Sequence, residues 1–275
     1  MTEAIREKKL QLENRMAEYA REDICLAFSG GVDSSLLLKA AADAAAGTGR
    51  EVYAVTFDSR LHPSCDLEIA ERVAKELGGI HEVITVDELE QEEIRNNPVN
   101  RCYLCKRHLF GSLKSFAQEK GVRHILDGTN EDDMHVYRPG IQALAELGIE
   151  SPLAKLHITK AEVKELAGEY GISVASRPST PCMATRLPYN TEIHYEILEN
   201  ISAGEAYLRE LLGGNVRLRL HGDIARIELD KTSLPKAVEM ADDIVVYLKE
   251  LGFLYITLDL EGFRSGSMDV HIVKG

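Results

Sequence analysis

The sequence has no apolar run long enough to cross a membrane. None of its hydrophobic stretches approaches the roughly 18 to 20 residues of a transmembrane helix, although 44% of the 275 residues are hydrophobic. The first residues, 1–21, are charged and lack the apolar centre of a signal peptide. We therefore expect a cytoplasmic protein without a membrane partner, whose cysteines stay reduced.

Positive charge is also scarce. The chain has 32 Lys and Arg residues against 45 Asp and Glu residues, which gives a formal net charge of −13. Such a surface repels polyanions as a whole, so nucleic acid is disfavoured as a partner unless a basic groove forms locally. The five cysteines are an odd number for a disulfide framework, and low-complexity segments and internal repeats are absent.

Apolar runs of strand length alternate with helical patterns in the first half of the chain. They predict strands at 24–28, 52–57, 81–86 and 124–127, and helices at 34–46, 65–77, 103–120 and 159–170. Such alternation is typical of crossover units on a parallel sheet. Ligands of these sheets bind beyond the carboxyl ends of the strands. The loops at 29–35, 58–64 and 128–133 are therefore expected to share one crevice.

The pattern changes near residues 178–188, which are rich in Pro, Ser and Thr. Beyond them we predict helices over 191–212 and 234–251, two alternating strands around 221–223, and strands over 254–260 and 268–273. The chain is thus expected to be an α/β protein with two domains. A parallel-sheet domain would cover 1–185, and a smaller α+β domain would cover 186–275.

A run of small residues, Ser-Gly-Gly-Val-Asp-Ser-Ser, lies between the first predicted strand and helix. Its glycines let the backbone turn closely around an anion, its serines add hydroxyl donors, and the helix N-terminus carries partial positive charge. It is neither the G-x-x-x-x-G-K-[ST] loop nor the G-x-G-x-x-G fingerprint. The run resembles the PP-loop of the ATP pyrophosphatases, which split ATP between its α- and β-phosphates and transfer AMP. The expected ATP contacts are Ser29, Gly30, Gly31, Val32, Asp33, Ser34 and Ser35, with Asp33 also catalytic.

A second polar segment, Asp-Gly-Thr-Asn-Glu-Asp-Asp at 127–133, follows the fourth predicted strand. Its carboxylates suit the orientation of a nucleotide or the binding of Mg²⁺, which prefers a few carboxylates together with phosphate oxygens. Acids that cap a helix are the alternative. The candidate nucleotide contacts outside the PP-loop are Thr56, Phe57, Gly128, Thr129, Asn130 and Asp133.

Three cysteines form a candidate metal site. Cys102 and Cys105 form a C-x-x-C pair that we predict to precede a helix, and Cys182 lies far along the chain. Three thiolates would leave one iron of a [4Fe–4S] cluster open to a non-protein ligand. The alternatives are zinc with His108 as a fourth ligand, a redox dithiol and a buried structural pair.

Arginines recur in the second predicted domain. Arg217 and Arg219 alternate on one predicted strand face, so together they could clamp an anion; charges on a solvated face are the ordinary alternative. The candidate substrate contacts are Arg186, Arg217, Arg219 and Arg264. Glu205 and Glu228 are candidate partners of these arginines or candidate metal ligands.

A set of short motifs resembles one PP-loop family over nearly the whole chain. The motifs are Asn97-Pro98, Arg101-Cys102-Tyr103-x-Cys105-Lys106, Asp127-Gly-Thr-Asn130, Tyr137-Arg138-Pro139-Gly140, Ser151-Pro152-Leu153, Thr159-Lys160, Pro181-Cys182-x-Ala184-x-Arg186 and Ala225-Arg226-Ile-Glu228. They are similar to those of the LarE family, ATP-dependent sulfur transferases of nickel-pincer cofactor biosynthesis for lactate racemase. The resemblance implies that ATP adenylates a carboxylate of pyridinium-3,5-biscarboxylic acid mononucleotide and that sulfur is then inserted to give a thiocarboxylate.

The resemblance also implies a source of sulfur. Family members with only the equivalent of Cys182 surrender the sulfur of that cysteine, whereas members with all three cysteines are thought to hold a [4Fe–4S] cluster whose open iron binds an extra sulfide. This chain has all three. The implied cofactors are therefore ATP, Mg²⁺ and a [4Fe–4S] cluster, with a catalytic role for Cys182. The implied partners are a sulfide source, other proteins of nickel-pincer biosynthesis and further copies of this chain.

Three other functions remain open at this point. A cluster-dependent tRNA thiolase also combines a PP-loop with three cysteines, but it needs a basic tract for tRNA, and the net charge disfavours it. In an amidating synthetase, ammonia would attack the adenylate and the cysteines would be incidental. A non-enzymatic regulator would bind ATP or a metal without releasing pyrophosphate.

Overall fold

A computed structural model describes residues 2–62, 65–136, 138–177, 180–264 and 266–268. Its α-helices are α1 Glu3–Tyr19, α2 Val32–Ala45, α3 Cys65–Leu77, α4 Glu92–Arg95, α5 Arg101–Glu119, α6 Gly140–Leu147, α7 Pro152–Lys155, α8 Lys160–Glu169, α9 Tyr195–Leu212, α10 Leu234–Glu239 and α11 Ala241–Glu250. Its strands are β1 Ile24–Ala27, β2 Val52–Ser59, β3 Ile80–Val86, β4 His124–Leu126, β5 Val216–His221, β6 Ile224–Leu229 and β7 Tyr255–Leu258. Short 3₁₀ turns lie at Glu88–Glu90, Asp132–His135, Met183–Arg186 and Lys231–Ser233.

The chain divides into two compact units. The first consists of Met1–Glu88 and Asn100–Thr180, and the second consists of Leu89–Val99 and Pro181–Gly275. The division falls five residues before the boundary expected at 185/186. It also assigns the segment 89–99 to the second unit, which no feature of the sequence indicated. Cys182 consequently lies in the second unit.

The first unit contains a parallel sheet in the order β3-β2-β1-β4, which confirms the predicted α/β architecture. The central strand β1 is buried on both faces, as expected where helices cover a parallel sheet. Ile24 and Leu26 pack in one apolar cluster with residues of α1, α2, α3 and α8, while Cys25 packs in another with residues of α5 and α6. Burial raises the pKa of the Cys25 thiol to about 12, so this cysteine is a core residue, as its strand position indicated.

Two helix starts determine where polar side chains lie. Thr159 caps α8 with a reciprocal capping box to Glu162, which confirms the predicted cap. The cysteine pair, in contrast, does not precede a helix. The Asn100 carbonyl accepts hydrogen bonds from the amides of Tyr103 and Leu104 at 2.9 and 3.2 Å, so α5 already begins at Arg101 and its first turns contain both thiols.

The second unit is built on a three-stranded sheet in the order β5-β6-β7. The two strands predicted around 221–223 are confirmed, and the structure shows that β5 and β6 pair antiparallel around Gly222, whose φ is +59°. The helix predicted over 234–251 is two helices, α10 and α11, since Met240 departs from helical dihedrals with φ −102° and ψ 20°. Of the strand predicted over 268–273, Met268 lies in a turn and the remaining residues lie outside the described ranges.

The segment 89–99 shapes the start of α9. The amide of Asn190 donates to the Asn97 carbonyl at 2.9 Å, and the amide of Ile193 donates to the Arg95 carbonyl at 2.8 Å. Residues 191–194 are therefore held outside the helix, and α9 begins at Tyr195 instead of at the predicted Thr191. None of the helices in the described ranges has the length and apolar character needed to cross a membrane.

Candidate functional site

The PP-loop follows β1 and is pressed against α3. Gly30 has a φ of +65°, and a Cβ atom at this position would lie 2.9 Å from the Cα of Ala70, so only glycine fits there. The side chains of Ser29 and Ser34 close the turn. Their hydroxyl oxygens are 3.3 Å apart, and the Ser34 hydroxyl donates to the Gly31 carbonyl at 3.2 Å.

The N-terminus of α2 faces this turn without a side-chain cap. Gly31 is the N-cap residue and makes no side-chain hydrogen bond, so the first amides of the helix remain available to an anion. The Ser35 hydroxyl is buried and has no hydrogen-bond partner in the part of the chain that the structure describes. These donors are those expected around the phosphates of a nucleotide.

Asp33 joins the PP-loop to the loop after β4. Its Oδ1 accepts a hydrogen bond from Asn130 Nδ2 at 3.0 Å, and its Oδ2 pairs with the Lys160 ammonium. A Cβ at Gly128 would lie 3.0 Å from the Ser34 amide nitrogen, so the two loops pack closely. The predicted proximity of the loops after β1 and β4 is thereby confirmed.

The carboxylates of Asp127 and Asp133, in the acidic segment after β4, bind other residues of the protein. Asp127 accepts hydrogen bonds from Thr129 Oγ1 at 2.6 Å and from Ser151, and the Lys106 ammonium lies 4.0 Å from its Oδ2. Asp133 accepts from the Asn130 amide at 3.2 Å and pairs with Arg138 at 3.0 Å. Both carboxylates therefore hold the loop in shape.

The two candidates at the end of β2 point to opposite faces of the sheet. Phe57 lies against Phe110 of α5, with ring centroids 5.9 Å apart. Thr56 lies on the PP-loop side, where its hydroxyl donates to the Phe28 carbonyl at 2.8 Å and lies 2.8 Å from His81 Nε2. Because the threonine has one hydroxyl proton, His81 Nε2 must be the donor in the second contact.

Acid is expected to destabilise the protein through two half-buried histidines, His62 and His81. Burial lowers the pKa values of His81 and His62, outweighing the nearby carboxylates that raise them. The stability that their neutral forms contribute is complete above the unfolded-state pKa of about 6.5 and is lost as the pH falls below it. We expect the urea concentration at the midpoint of unfolding to be lower at about pH 5.5 than at about pH 7.5. His81→Gln should reduce this difference. An equal fall in both proteins would contradict the role of His81.

The cysteine pair lies at the start of α5. Cys102 is exposed and Cys105 is half-buried, and residues three apart share one face of a helix. Arg101 Nη2 lies 3.6 Å from Cys102 Sγ. A Cβ at Gly140 would meet the Cys102 carbonyl oxygen at 3.2 Å, so the glycine allows α6 to pack against this turn.

The pair can supply two thiolate ligands to a metal centre. Cys182 is half-buried and precedes the 3₁₀ turn Met183–Arg186 in the second unit. Its carbonyl accepts hydrogen bonds from Thr185 Oγ1 at 2.7 Å and from Arg186 Nη1 at 3.4 Å. Across the described ranges, no three His, Cys, Asp or Glu side chains lie close enough together to hold one metal ion.

The candidate arginines of the second unit lie among carboxylates. Arg186 is buried and makes two parallel hydrogen bonds to Glu205, at 2.8 and 2.9 Å. Arg219 binds Glu228 at 3.1 Å, and Arg264 binds Asp259 at 3.1 Å. Glu205 and Glu228 are thus the buried counter-ions of two predicted substrate contacts.

Arg217 differs from the other three arginines. It shares a sheet face with Arg219, since the register pairs these residues with Glu228 and Arg226. It donates to the Val216 carbonyl at 2.7 Å and lies over the Phe263 ring at 5.4 Å. In the described part of the chain it forms no ion pair with a carboxylate. Burial and neighbouring arginines lower its pKa, an environment that favours a bound anion.

Three residues beside the PP-loop were not predicted as site residues. Lys160 pairs with Asp33, and Arg177 contacts both Asp66 and the Gly30 carbonyl. The capped helix start at Thr159 indicated that Lys160 begins a helix. Its partner lies 127 residues away, so local patterns could not identify the contact.

Known proteins resemble the chain over most of its length. A PP-loop domain family matches residues 2–136. An uncharacterized protein of Synechocystis sp. is 38% identical over 96% of this chain and 98% of its own length. The pyridinium-3,5-bisthiocarboxylic acid mononucleotide synthase of Lactiplantibacillus plantarum is 36% identical over 91% of this chain and 90% of its own. An uncharacterized protein of Methanocaldococcus jannaschii is 32% identical over 94% and 98%, respectively. With a PP-loop built as described and this similarity to the synthase, the chain belongs to the LarE family of PP-loop proteins.

Proposed function

We propose that the protein is an ATP-dependent sulfur transferase. It adenylates a carboxylate of pyridinium-3,5-biscarboxylic acid mononucleotide and inserts sulfur to give a thiocarboxylate for the nickel-pincer cofactor of lactate racemase. The observation that carries this proposal is the 36% identity, over 91% of the chain, to a pyridinium-3,5-bisthiocarboxylic acid mononucleotide synthase. The open, uncapped N-terminus of α2 behind the PP-loop supports the use of ATP.

The residues of the first unit suit the adenylation step. A substrate carboxylate oxygen attacks the α-phosphorus of ATP, and the bond to the bridging oxygen breaks to release pyrophosphate. Amides of the PP-loop and the first turn of α2 would stabilise the negative charge that develops on the departing phosphates. Lys160 already lies beside Asp33 and can move its charge to those phosphates. The adenylate then presents AMP as a good leaving group to a sulfur nucleophile.

Mg²⁺ is part of the same proposal. Asp33 is the carboxylate of the PP-loop, and it is held by Asn130 and Lys160. Mg²⁺ is commonly bound by one or two carboxylates together with substrate phosphates, so Asp33 fits this role when ATP is present. The ion would neutralise phosphate charge during adenylation.

A [4Fe–4S] cluster on Cys102, Cys105 and Cys182 is the finer part of the proposal. The first two thiols share a helix face, and Cys182 is the third proposed ligand. When bound, such a cluster leaves one iron open to an additional sulfide. Cys182 is proposed as the catalytic cysteine. The arginines of the second unit, Arg217 above all, are proposed to bind the phosphate and carboxylates of the substrate.

Activity can be tested with ATP, the pyridinium substrate and sulfide under anaerobic conditions. We expect AMP, pyrophosphate and a product in which sulfur has replaced oxygen. Asp33→Asn should lower the rate by roughly 10²- to 10³-fold, because it removes the carboxylate proposed to hold the Mg²⁺ that neutralises phosphate charge. Asp43→Asn is the matched control, because it lies on the same helix in an exposed pair with Lys39. Conversion of the carboxylate to an amide, with ammonia supplied as the only nucleophile, would instead indicate an amidating synthetase.

The source of sulfur can be tested by metal analysis after anaerobic purification. We expect about four irons per chain, lost in Cys102→Ala, Cys105→Ala and Cys182→Ala but kept in Cys25→Ala, whose thiol lies in the core. Iron absent from the wild type, with a loss of H₂S from Cys182 after turnover, would overturn the cluster and assign the sulfur to that cysteine. Assembly into a homo-oligomer and cooperation with other nickel-pincer biosynthesis proteins complete the proposal.

A further inference from the structure

Arg177 contacts the PP-loop from the side of α3. One guanidinium nitrogen, Nη2, pairs with Asp66 in the first turn of α3, and the other, Nη1, donates to the Gly30 carbonyl at 3.4 Å. Both side chains are largely buried, with 19% of Arg177 and 18% of Asp66 exposed. The Arg177 amide also donates to the Val174 carbonyl at 3.0 Å, so the backbone of this residue is anchored to the first unit.

The contact falls on the peptide that links the two glycines of the PP-loop. A trans peptide is planar, so its carbonyl and the following N–H point to opposite sides. Holding the Gly30 carbonyl on the α3 side therefore directs the Gly31 N–H to the other side. That N–H makes a long contact of 3.4 Å with Ser29 Oγ, which leaves it able to donate to a stronger acceptor.

Glycine alone would not keep this peptide in one orientation. Gly30 has a φ of +65° and Gly31 also has no side chain, and glycines reach several backbone conformations at little cost. A planar guanidinium held by a carboxylate presents donors in a fixed direction, unlike a lysine ammonium. Arg177 is well suited to select one orientation from those that the two glycines allow.

We propose that Arg177, held by Asp66, is a positioning residue that orients the Gly31 N–H toward the phosphates of ATP. The proposal rests on the nucleotide-binding part of the proposed function and is independent of the sulfur chemistry. It assigns to Arg177 an effect on phosphate recognition without direct contact with the adenosine moiety. Its consequence is a loss of affinity that depends on the phosphates of the ligand.

The test compares the binding of a non-hydrolysable α,β-methylene ATP analogue with that of adenosine, by calorimetry. We expect Arg177→Met to lower the affinity for the analogue by roughly 5- to 30-fold and to leave the affinity for adenosine unchanged. Asp66→Asn should cause a smaller loss with the same preference. The affinity of Arg177→Lys for the analogue should be closer to that of Arg177→Met than to that of the wild type. Lysine restores the positive charge but not the planar set of guanidinium donors.

Arg72→Met is the matched control. Arg72 extends from α3, pairs with Glu76 and donates to Ser173 Oγ, so its loss removes an arginine from the same helix surface without touching the PP-loop. The proposal would be overturned if Arg177→Met lost equal affinity for the analogue and for adenosine. It would also be overturned if Arg177→Lys bound the analogue as tightly as the wild type does. Absence of analogue binding in the wild type would overturn the nucleotide-binding function itself, whereas unchanged binding in Arg177→Met would overturn only the role of Arg177.

Discussion

Gly30→Ala is expected to lower the adenylation rate roughly 100-fold, the effect of displacing reacting groups by about an ångström. The added Cβ would lie 2.9 Å from the Cα and 3.0 Å from the amide nitrogen of Ala70. Both are backbone atoms of α3, so rotation of a side chain cannot relieve the clash. The loop itself must move away from α3, and its amides move with it. Pyrophosphate release at saturating substrate measures this effect.

Gly47→Ala separates the clash from backbone strain. Gly47 also has a positive φ, +75°, but no atom lies within 4 Å of an added Cβ. The variant should lose about 1 kcal/mol of stability from the left-handed conformation and keep its activity. If both variants adenylate at the wild-type rate, contact with α3 does not determine the geometry of the loop.

Glu205→Gln should destabilise the protein by about 3 to 5 kcal/mol, the cost of leaving a buried charge without its partner. Arg186 and Glu205 are 2% and 3% exposed. Glu205 Oε1 also accepts a hydrogen bond from the Leu218 amide at 3.0 Å, so the carboxylate joins the 3₁₀ turn that contains Arg186 to strand β5. Urea unfolding, monitored by circular dichroism, measures the change.

Glu261→Gln is the control for this second prediction. Glu261 pairs with Arg264 but is 71% exposed, so its loss should change stability by no more than about 1 kcal/mol. A similarly small change for Glu205→Gln would show that the buried pair does not stabilise the second unit.

The PP-loop and the parallel sheet of the first unit could be predicted from the sequence because the motifs that indicate them are continuous in the chain. A strand, two glycines, an acid and two serines follow one another in the chain, and the alternation of strands and helices places the loops after β1 and β4 together. The contacts of Asp33 with Asn130 and Lys160 depend on the packing of distant segments. Their partners could be identified only from the folded structure.

The second half illustrates the limit of periodicity in a different way. Alternation correctly put Arg217 and Arg219 on one sheet face, but it gave no information about which arginine is paired. Glu228 lies opposite Arg217 in the register and yet binds Arg219. The start of α9 was misplaced because hydrogen bonds from 190–193 to the segment 89–99 replace a further helical turn.

The second unit is made of two separate stretches of the chain, Leu89–Val99 and Pro181–Gly275, and this has a consequence for biosynthesis. Ile94 is 1% exposed in the folded protein, and Asn97 binds carbonyls about 90 residues further along the chain. A ribosome adds roughly 5 to 20 residues per second, so this short segment leaves the exit tunnel roughly 5 to 20 seconds before its partners leave it. During that interval Ile94 lacks the contacts that bury it in the folded protein, so the second unit cannot complete its fold until residues about 90 positions later have emerged.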